Sequence, residues 1–232
     1  MSALTLEQES LARLQRIKAA YQSIIKLNYE PRAADCRVCP TAGVCCVDAH
    51  FVNVHITRLE AVAIRETLRR TPRLNEEQRR DVYRRARSAV ERYHLRPQGD
   101  TFAQTYACPL FEPQVGCLVH ARAKPAPCIQ HACYDNWEDL PPASLQSRAE
   151  HRVEQLNTEL YGKAWAWLPT PLWLTLVDPS SDGAELRRLA QQWSTRRAPE
   201  GRTQLHRNLG GSPQQQKKRA SLPVINQASA RF

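Results

Sequence analysis

The chain has 232 residues, 42% of them hydrophobic, so it can bury a core without disulfides, and no period of solenoid length argues for a repeat architecture. Its formal net charge is +10, unevenly spread: residues 183–232 hold 10 basic against 2 acidic side chains, and 101–182 hold 5 against 9. A basic tail implies weak, salt-sensitive attraction to nucleic acid or anionic surfaces, with a solvated, disordered end as the stronger reading.

The elements follow in chain order. Leu11, Leu14, Ile17, Tyr21, Ile24 and Ile25 recur at helical spacing behind a Thr5/Gln8 capping pair and predict a helix over 6–27. A turn at Pro31 leads into the cysteines. The stretch FVNVHI, 51–56, alternates with a period of two, Val52, Val54 and Ile56 against Phe51, Asn53 and His55, and predicts a short strand. Thr57 and Glu60 form a capping box that opens a helix to about Arg70, and Asn75 caps another to about His94. The second has an inward stripe of Val82, Ala86, Val90 and Tyr93 and a face rich in arginine (Arg79, Arg80, Arg84, Arg85, Arg87), read as solvated surface rather than a nucleic-acid reader.

From Pro97 to Pro142 no period holds, which is long for a structureless loop in a compact domain. A helix resumes over 143–161 with Leu145, Ala149, Val153, Leu156 and Leu160 inward. The Trp165, Trp167 and Trp173 segment reads as a lid over the core. Asp182 and Glu185 open a last helix through Leu186, Leu189 and Trp193, and residues beyond Arg197 read as disordered. The expected fold class is mainly α, with a small irregular, metal-organised, cysteine-rich region and at most a short β-strand or hairpin. The expected organisation is one domain over 1–195, its metal-binding core at 36–133, and a disordered basic tail over 196–232.

No apolar stretch followed by a small-residue cleavage site opens the chain. The longest apolar run, WAWLPTPLWLTLV at 165–177, is too short to span a bilayer and is broken by prolines. The expected location is therefore cytoplasmic, where clustered thiols read as metal ligands or redox groups before disulfides.

All eight cysteines lie between 36 and 133, in two blocks: Cys36, Cys39, Cys45 and Cys46 within CRVCPTAGVCC, then Cys108, Cys117, Cys128 and Cys133. Each block holds the four thiols that fill a tetrahedral zinc site or ligate an iron–sulfur cluster. Cys39-Pro40, Cys108-Pro109 and Pro127-Cys128 stiffen the backbone beside three of them. If Cys45-Cys46 is extended, its side chains point to opposite sides, and the two would serve different metal positions, interleaving the blocks. A thioredoxin-type pair would open a helix after a strand, whereas Cys36 and Cys39 follow a helix and sit in a turn. The C-x3-C-x2-C triplet of radical S-adenosylmethionine chemistry is missing from the sequence.

These residues resemble the cysteine-cluster proteins described as zinc- or iron-chelating, also called iron–sulfur-cluster-containing proteins. That pattern is C-x2-C and a C-C pair, a CP segment, then C-x-I-Y-x-x-R-P-x-x-C-R-x-x-x-C. CRVCPTAGVCC, CPLF at 108–111 and CLVHARAKPAPCIQHAC at 117–133 match it across 98 residues. Here the Cys39–Cys45 gap is wider, His120 stands at the aromatic position, and Lys124-Pro125 replaces Arg-Pro with an extra residue before Cys128. His120 and His131 are candidate accessory ligands or hydrogen-bond donors to sulfur.

The resemblance implies a metal centre without fixing a reaction. Some larger relatives are described as flagellin lysine methylases, but this shorter chain has no Gly-rich nucleotide loop. Two readings follow. In the first, the eight cysteines hold an iron–sulfur cluster used in electron transfer or cluster-dependent protein modification, with a protein or redox partner. In the second they hold zinc in a structural interaction module. No Ser/His/Asp or Cys/His set marks an enzyme.

Overall fold

A computed structural model describes residues 3–195 other than 36, 37, 39, 40, 42, 48–51, 99, 163, 164 and 166, with backbone alone for 3, 4 and 193–195. The expected disordered tail, 196–232, lies outside the described residues, as do Phe51 and the side chain of Trp193. The first helix, α1, runs Ala3–Asn28, so Thr5 falls within its first turn rather than ahead of it. One stripe of α1, Leu14, Lys18, Tyr21 and Ile25, is buried, the i, i+4, i+7, i+11 spacing of a single helix face. Ile24, assigned to that face by its period, is 41% exposed, while the inward stripe includes a lysine.

Two capping boxes set the next long helices. The Thr57 N–H donates to Glu60 Oε2 at 3.0 Å and the Glu60 N–H returns to Thr57 Oγ1 at 3.3 Å, opening α3, Arg58–Arg70, which follows the one-turn α2, Val44–Val47. Asn75 and Gln78 repeat the exchange at 2.9 and 2.8 Å to open α4, Glu76–Arg92. Each such cap contributes about 1 kcal/mol. The α4 arginines are not merely solvated: Arg79 Nε donates to the Leu68 carbonyl at 3.1 Å, and Arg87 pairs with Asp178.

After the short helix α5, Ala126–Gln130, comes α6, Ala143–Tyr161, which ends at Gly162 with φ +65°, the left-handed stop that glycine adopts without strain. Then follow α7, Thr170–Leu176, and α8, Ala184–Thr195, whose first amide hydrogens include one taken by Asp182 Oδ1 from Ala184 at 2.8 Å.

Packing sorts the helices into two groups. Helix α1 lies on α6, with α5 against both, and α7 lies on α4 and α3. The larger apolar cluster gathers Ile56, Ile64, Val82, Tyr106, Leu110 and Trp173; smaller ones join Tyr21, Ile25 and Ile129, and Leu14, Leu59 and Leu156. Trp173 is fully buried in α7 and Trp165 nearly so. The tryptophan segment therefore runs through the core rather than covering it, which accounts for its apolar sequence.

The strands are minimal, and the described protein is mainly helical, as expected. Strand β1, His55–Ile56, pairs antiparallel with β4, Leu168–Pro169, and between them in sequence β2, Phe111–Glu112, pairs with β3, Gly116–Cys117. Tyr106, fully buried, locks the first pair: its hydroxyl accepts from the Val54 and Thr170 amides at 3.1 and 3.2 Å and donates to the Val54 carbonyl. The alternation expected over 51–56 breaks at His55, which is buried, stacks on Phe102 with ring centres 4.2 Å apart, and places Nε2 3.0 Å from the Thr101 carbonyl. No helix among the described residues is long and apolar enough to cross a membrane.

Candidate metal centre

The first cysteine block approaches the second through α2. This single turn carries Cys45 and Cys46 and starts after Gly43, whose φ of +86° favours glycine. A Cβ at Gly43 would lie 2.0 Å from the Phe111 ring, so the β2 side chain occupies the place a larger residue would need. Cys45-Cys46 is helical, not extended as the sequence suggested. The two side chains diverge by about 100° rather than 180°. They nevertheless feel different neighbours: Cys46 and His131 lower Cys45, while Cys45, Cys108 and Cys128 raise Cys46.

Two backbone contacts clamp the loop that holds this block. The Ala34 amide donates to the Cys133 carbonyl at 2.8 Å, beside the bridge of Ala33 with Tyr134. At the far end the Cys108 amide donates to the Cys46 carbonyl at 2.7 Å. The irregular 97–142 segment and the 34–46 loop are thereby tied at both ends, although their side chains come from distant sequence.

The second block is positioned piece by piece. Cys108 precedes the β2–β3 hairpin and Cys117 ends it; the hairpin turns through Gln114 and Gly116, both at positive φ. Arg85 anchors it to α4, donating to the Phe111 carbonyl at 3.0 Å and pairing with Glu112 at 2.8 Å. Cys128 lies on α5, held to α1 and α6 by Ala126 and Ile129 against Tyr21, Ile25 and Ala149.

Electrostatic influence links Cys46 with Cys108 and Cys128, and Cys117 with Cys108 and Cys128. Burial pushes the Cys108 thiol up to about 12; amides of Leu110 and Phe111 oppose this by hydrogen-bonding toward its sulfur, while Cys117 raises it further. Burial likewise raises Cys117, against a hydrogen bond from the Val119 amide and the Lys124 charge. Cys128 is raised by burial and by Cys108 and Cys117, with Lys124 and Lys18 pulling the other way. Cys46 is raised by its hydrogen bond with Cys45, by burial and by Cys45, Cys108 and Cys128, whereas Cys45 is lowered by hydrogen bonds from Cys46 and His131.

No disulfide joins the described cysteines to one another. Among the described residues no three His, Cys, Asp or Glu side chains are gathered closely enough to hold one ion as they stand. Cys36 and Cys39 lie outside the described residues, and Cys133 stands beside the entry to their loop through the Ala34 contact. His120 is exposed, while His131 is the histidine that meets sulfur.

The donor chemistry is that of a thiophilic metal, but as the chain stands burial helps to raise Cys46, Cys108, Cys117 and Cys128 and holds them as thiols, so a metal would have to displace their protons on binding. Two contributors escaped the sequence reading. Lys18, buried near Cys128, was legible only as a charge on the apolar stripe of α1, four residues after Leu14 and three before Tyr21. Arg85 was one arginine among five. No family model, no curated protein and no solved structure matches the chain.

Proposed function

We propose that this chain is a cysteine-ligated metal protein of the kind implied by its resemblance to the cysteine-cluster proteins, carrying an iron–sulfur cluster that serves electron transfer or cluster-dependent modification of a protein partner. The observation that carries the reading is the backbone contact that joins the two cysteine blocks, the Cys108 amide on the Cys46 carbonyl at 2.7 Å, with the Ala34 amide on the Cys133 carbonyl at 2.8 Å at the other end of the loop. Bringing ligands from separate stretches together before any metal arrives lowers the entropy lost when it binds.

The inner ligands would be Cys46, Cys108, Cys117 and Cys128. Cys36, Cys39, Cys45 and Cys133 would form the outer set, each set mixing the two sequence blocks. A bound cluster would supply one-electron transfer. The chain's own residues fix the hairpin (Arg85), close the loop (Gly43 against Phe111) and place cationic charge near Cys128 (Lys18, Lys124).

Zinc is favoured by one feature. Between 97 and 142 the described backbone has one two-residue strand pair, one five-residue helix and short 3-10 turns, so metal bonds would stand in for a core. Structural zinc contributes about 10–16 kcal/mol to folding in small domains, enough to order such a segment.

Anaerobic purification followed by absorption spectroscopy, metal analysis and acid-labile sulfide separates the readings. Brown protein with iron and sulfide is the expected result. Colourless protein containing zinc assigns the second reading, and protein that holds neither metal after anaerobic preparation and reconstitution refutes both.

A further inference from the structure

Helices α1 and α6 lie side by side and antiparallel, since Tyr21 packs with Ala149 and Leu145 while Arg13 reaches Glu159 at 2.9 Å. Along one side of the pair runs an open groove of about 900 Å³, lined by residues 17–24 of α1 and 143–155 of α6, and no third element among the described residues lines it. Its α6 side is about 18 Å long, more than three turns of helix. Tyr21 and Ala149, both buried, form the floor, and Ile17, Ile24 and Leu145 form the walls. The Tyr21 hydroxyl donates to Gln130 Oε1 at 2.6 Å, so the floor presents an apolar ring rather than a free donor. Ile24 is 41% exposed, and Leu27, one turn further on, 76%.

The charged part of the lining has one sign. Arg148 and Arg152 stand one turn apart on α6, both exposed, and neither forms an ion pair among the described residues. No carboxylate lines the groove: Glu150 is buried and accepts from Gln146 at 2.8 Å, and Glu154 accepts from the Trp167 indole at 3.2 Å. Like charges four residues apart on a helix repel, so this pair is relieved by an anion facing it. An apolar trough with one cationic rim, open along its third side, matches an amphipathic helix laid along it with its acidic flank over α6. Ala20, Ser144 and Ser147 keep the lining low enough for such a backbone to approach. The chain's own tail has the wrong charge, since residues 196–232 carry 8 basic side chains against 1 acidic. A second copy set groove to groove would bring the arginines of each onto those of the other.

We propose that the α1–α6 groove docks an acidic amphipathic helix of a protein partner, its apolar stripe filling the trough between Ile17, Ile24 and Leu145 and its carboxylates facing Arg148 and Arg152. Tyr21, at the floor, shares a cluster with Ile129 of α5, the helix that carries Cys128. A partner seated here is therefore held one helix away from the second cysteine block. What it would exchange with a metal centre rests on the proposed function; the docking of the helix does not.

The test uses the full chain and two labelled peptides of about 15 residues, both with leucines at helical spacing, one with glutamates flanking the stripe and the other with lysines. Fluorescence anisotropy should show saturable binding of the glutamate peptide and binding of the lysine peptide weaker by about tenfold or more. Arg148→Glu/Arg152→Glu should weaken the glutamate peptide by about tenfold, and Ile24→Glu by a similar factor through the lost apolar contact. All three side chains are exposed, and circular dichroism checks that the variants keep the native fold. No saturable binding of the glutamate peptide, or equal binding of the two peptides, overturns the proposal. So does affinity unchanged in both variants, which places the peptide elsewhere, as on the basic tail. Sedimentation in the same buffer covers the remaining occupant: self-association that Ile24→Glu abolishes assigns the groove to a second copy and overturns the proposal. Metal and sulfide measured on the same samples keep the two conclusions apart. Protein that binds the glutamate peptide but holds no metal after reconstitution loses the proposed function and keeps the docking site, and metal-loaded protein indifferent to the peptide does the reverse.

Discussion

Replacing Lys18 by Met should be far more damaging than its place on an outer helix suggests. The Lys18 and Glu60 side chains are 6% and 1% exposed, and the pair closes at 2.8 Å. At the surface such a pair contributes up to about 1 kcal/mol, but a buried carboxylate stripped of its counter-charge costs about 3–5 kcal/mol. Glu60 keeps two donors from Thr57, the amide at 3.0 Å and the hydroxyl at 3.3 Å, which places the expected loss near the lower end, about 3 kcal/mol.

For a chain of this size that is a fall in Tm of roughly 6–12 °C. Glu60→Gln keeps an acceptor for the Thr57 amide and a polar oxygen beside the lysine, so its expected cost is smaller, about 2 kcal/mol. The double variant should then cost less than the two singles together by about 2 kcal/mol, because neither charge is left alone. Thermal and urea unfolding followed by circular dichroism, with thiols kept reduced, measures all four corners of this cycle. A Lys18→Met loss under about 1 kcal/mol, or strict additivity in the double variant, would refute the claim that burial sets the strength of this pair.

Three further outcomes are expected. Burial drives His55 from 6.5 down to about 4, against the bonds with Thr101 and Asn53 and the charge of Asp100. Below pH 6.5 the unfolded chain gains a proton that the folded chain refuses, so this residue's stability contribution is whole above pH 6.5 and lost as pH falls to about 4, roughly 3 kcal/mol in all. Urea midpoints at pH 7 and pH 4.5 should therefore fall less steeply for His55→Gln than for the native chain, and equal slopes reject the assignment. Gly43→Ala forces both a positive φ and a collision with Phe111; a loss of about 2 kcal/mol or more is expected from equilibrium unfolding, and a neutral result would mean the α2–hairpin contact is absent in solution. Cys45→Ala and Cys46→Ala should remove metal unequally after anaerobic preparation, Cys46→Ala acting on the inner group; identical losses from a single site would eliminate the division into two sets.

What could be read from the chain alone is what short-range chemistry decides. The Thr57/Glu60 and Asn75/Gln78 caps work across three residues, and the limits of α3 and α6 follow from signals at their own ends. The Cys45-Cys46 turn could not be read this way, because its conformation depends on Phe111 filling the space against Gly43. The pairing of β1 with β4 depends on a tyrosine hydroxyl from a third segment, which no local period announces. Within the site, the bunching of cysteines was visible in their spacing. Their sorting by space, Cys46 with the second block and Cys133 beside the loop of the first, was anticipated only as interleaving of unspecified members. Lys18 was obscured because the rule that places apolar residues inside makes no provision for a lysine whose counter-ion arrives from another helix.

The clamp at the two ends of the 34–46 loop also imposes an order in time. Neither contact can form until the ribosome has delivered the far partner, since Cys46 waits for Cys108 and Ala34 for Cys133. At about 5–20 residues per second, the roughly sixty residues between Cys46 and Cys108 take on the order of 3–12 s to emerge, and Cys133 follows about a second or more later. For that interval the first four thiols travel without their partners, open to oxidants and to whatever thiophilic ion arrives first. If the chain carries the proposed metal centre, loading of either mixed set would be a late event, coupled to completion of the second block rather than to synthesis of the first.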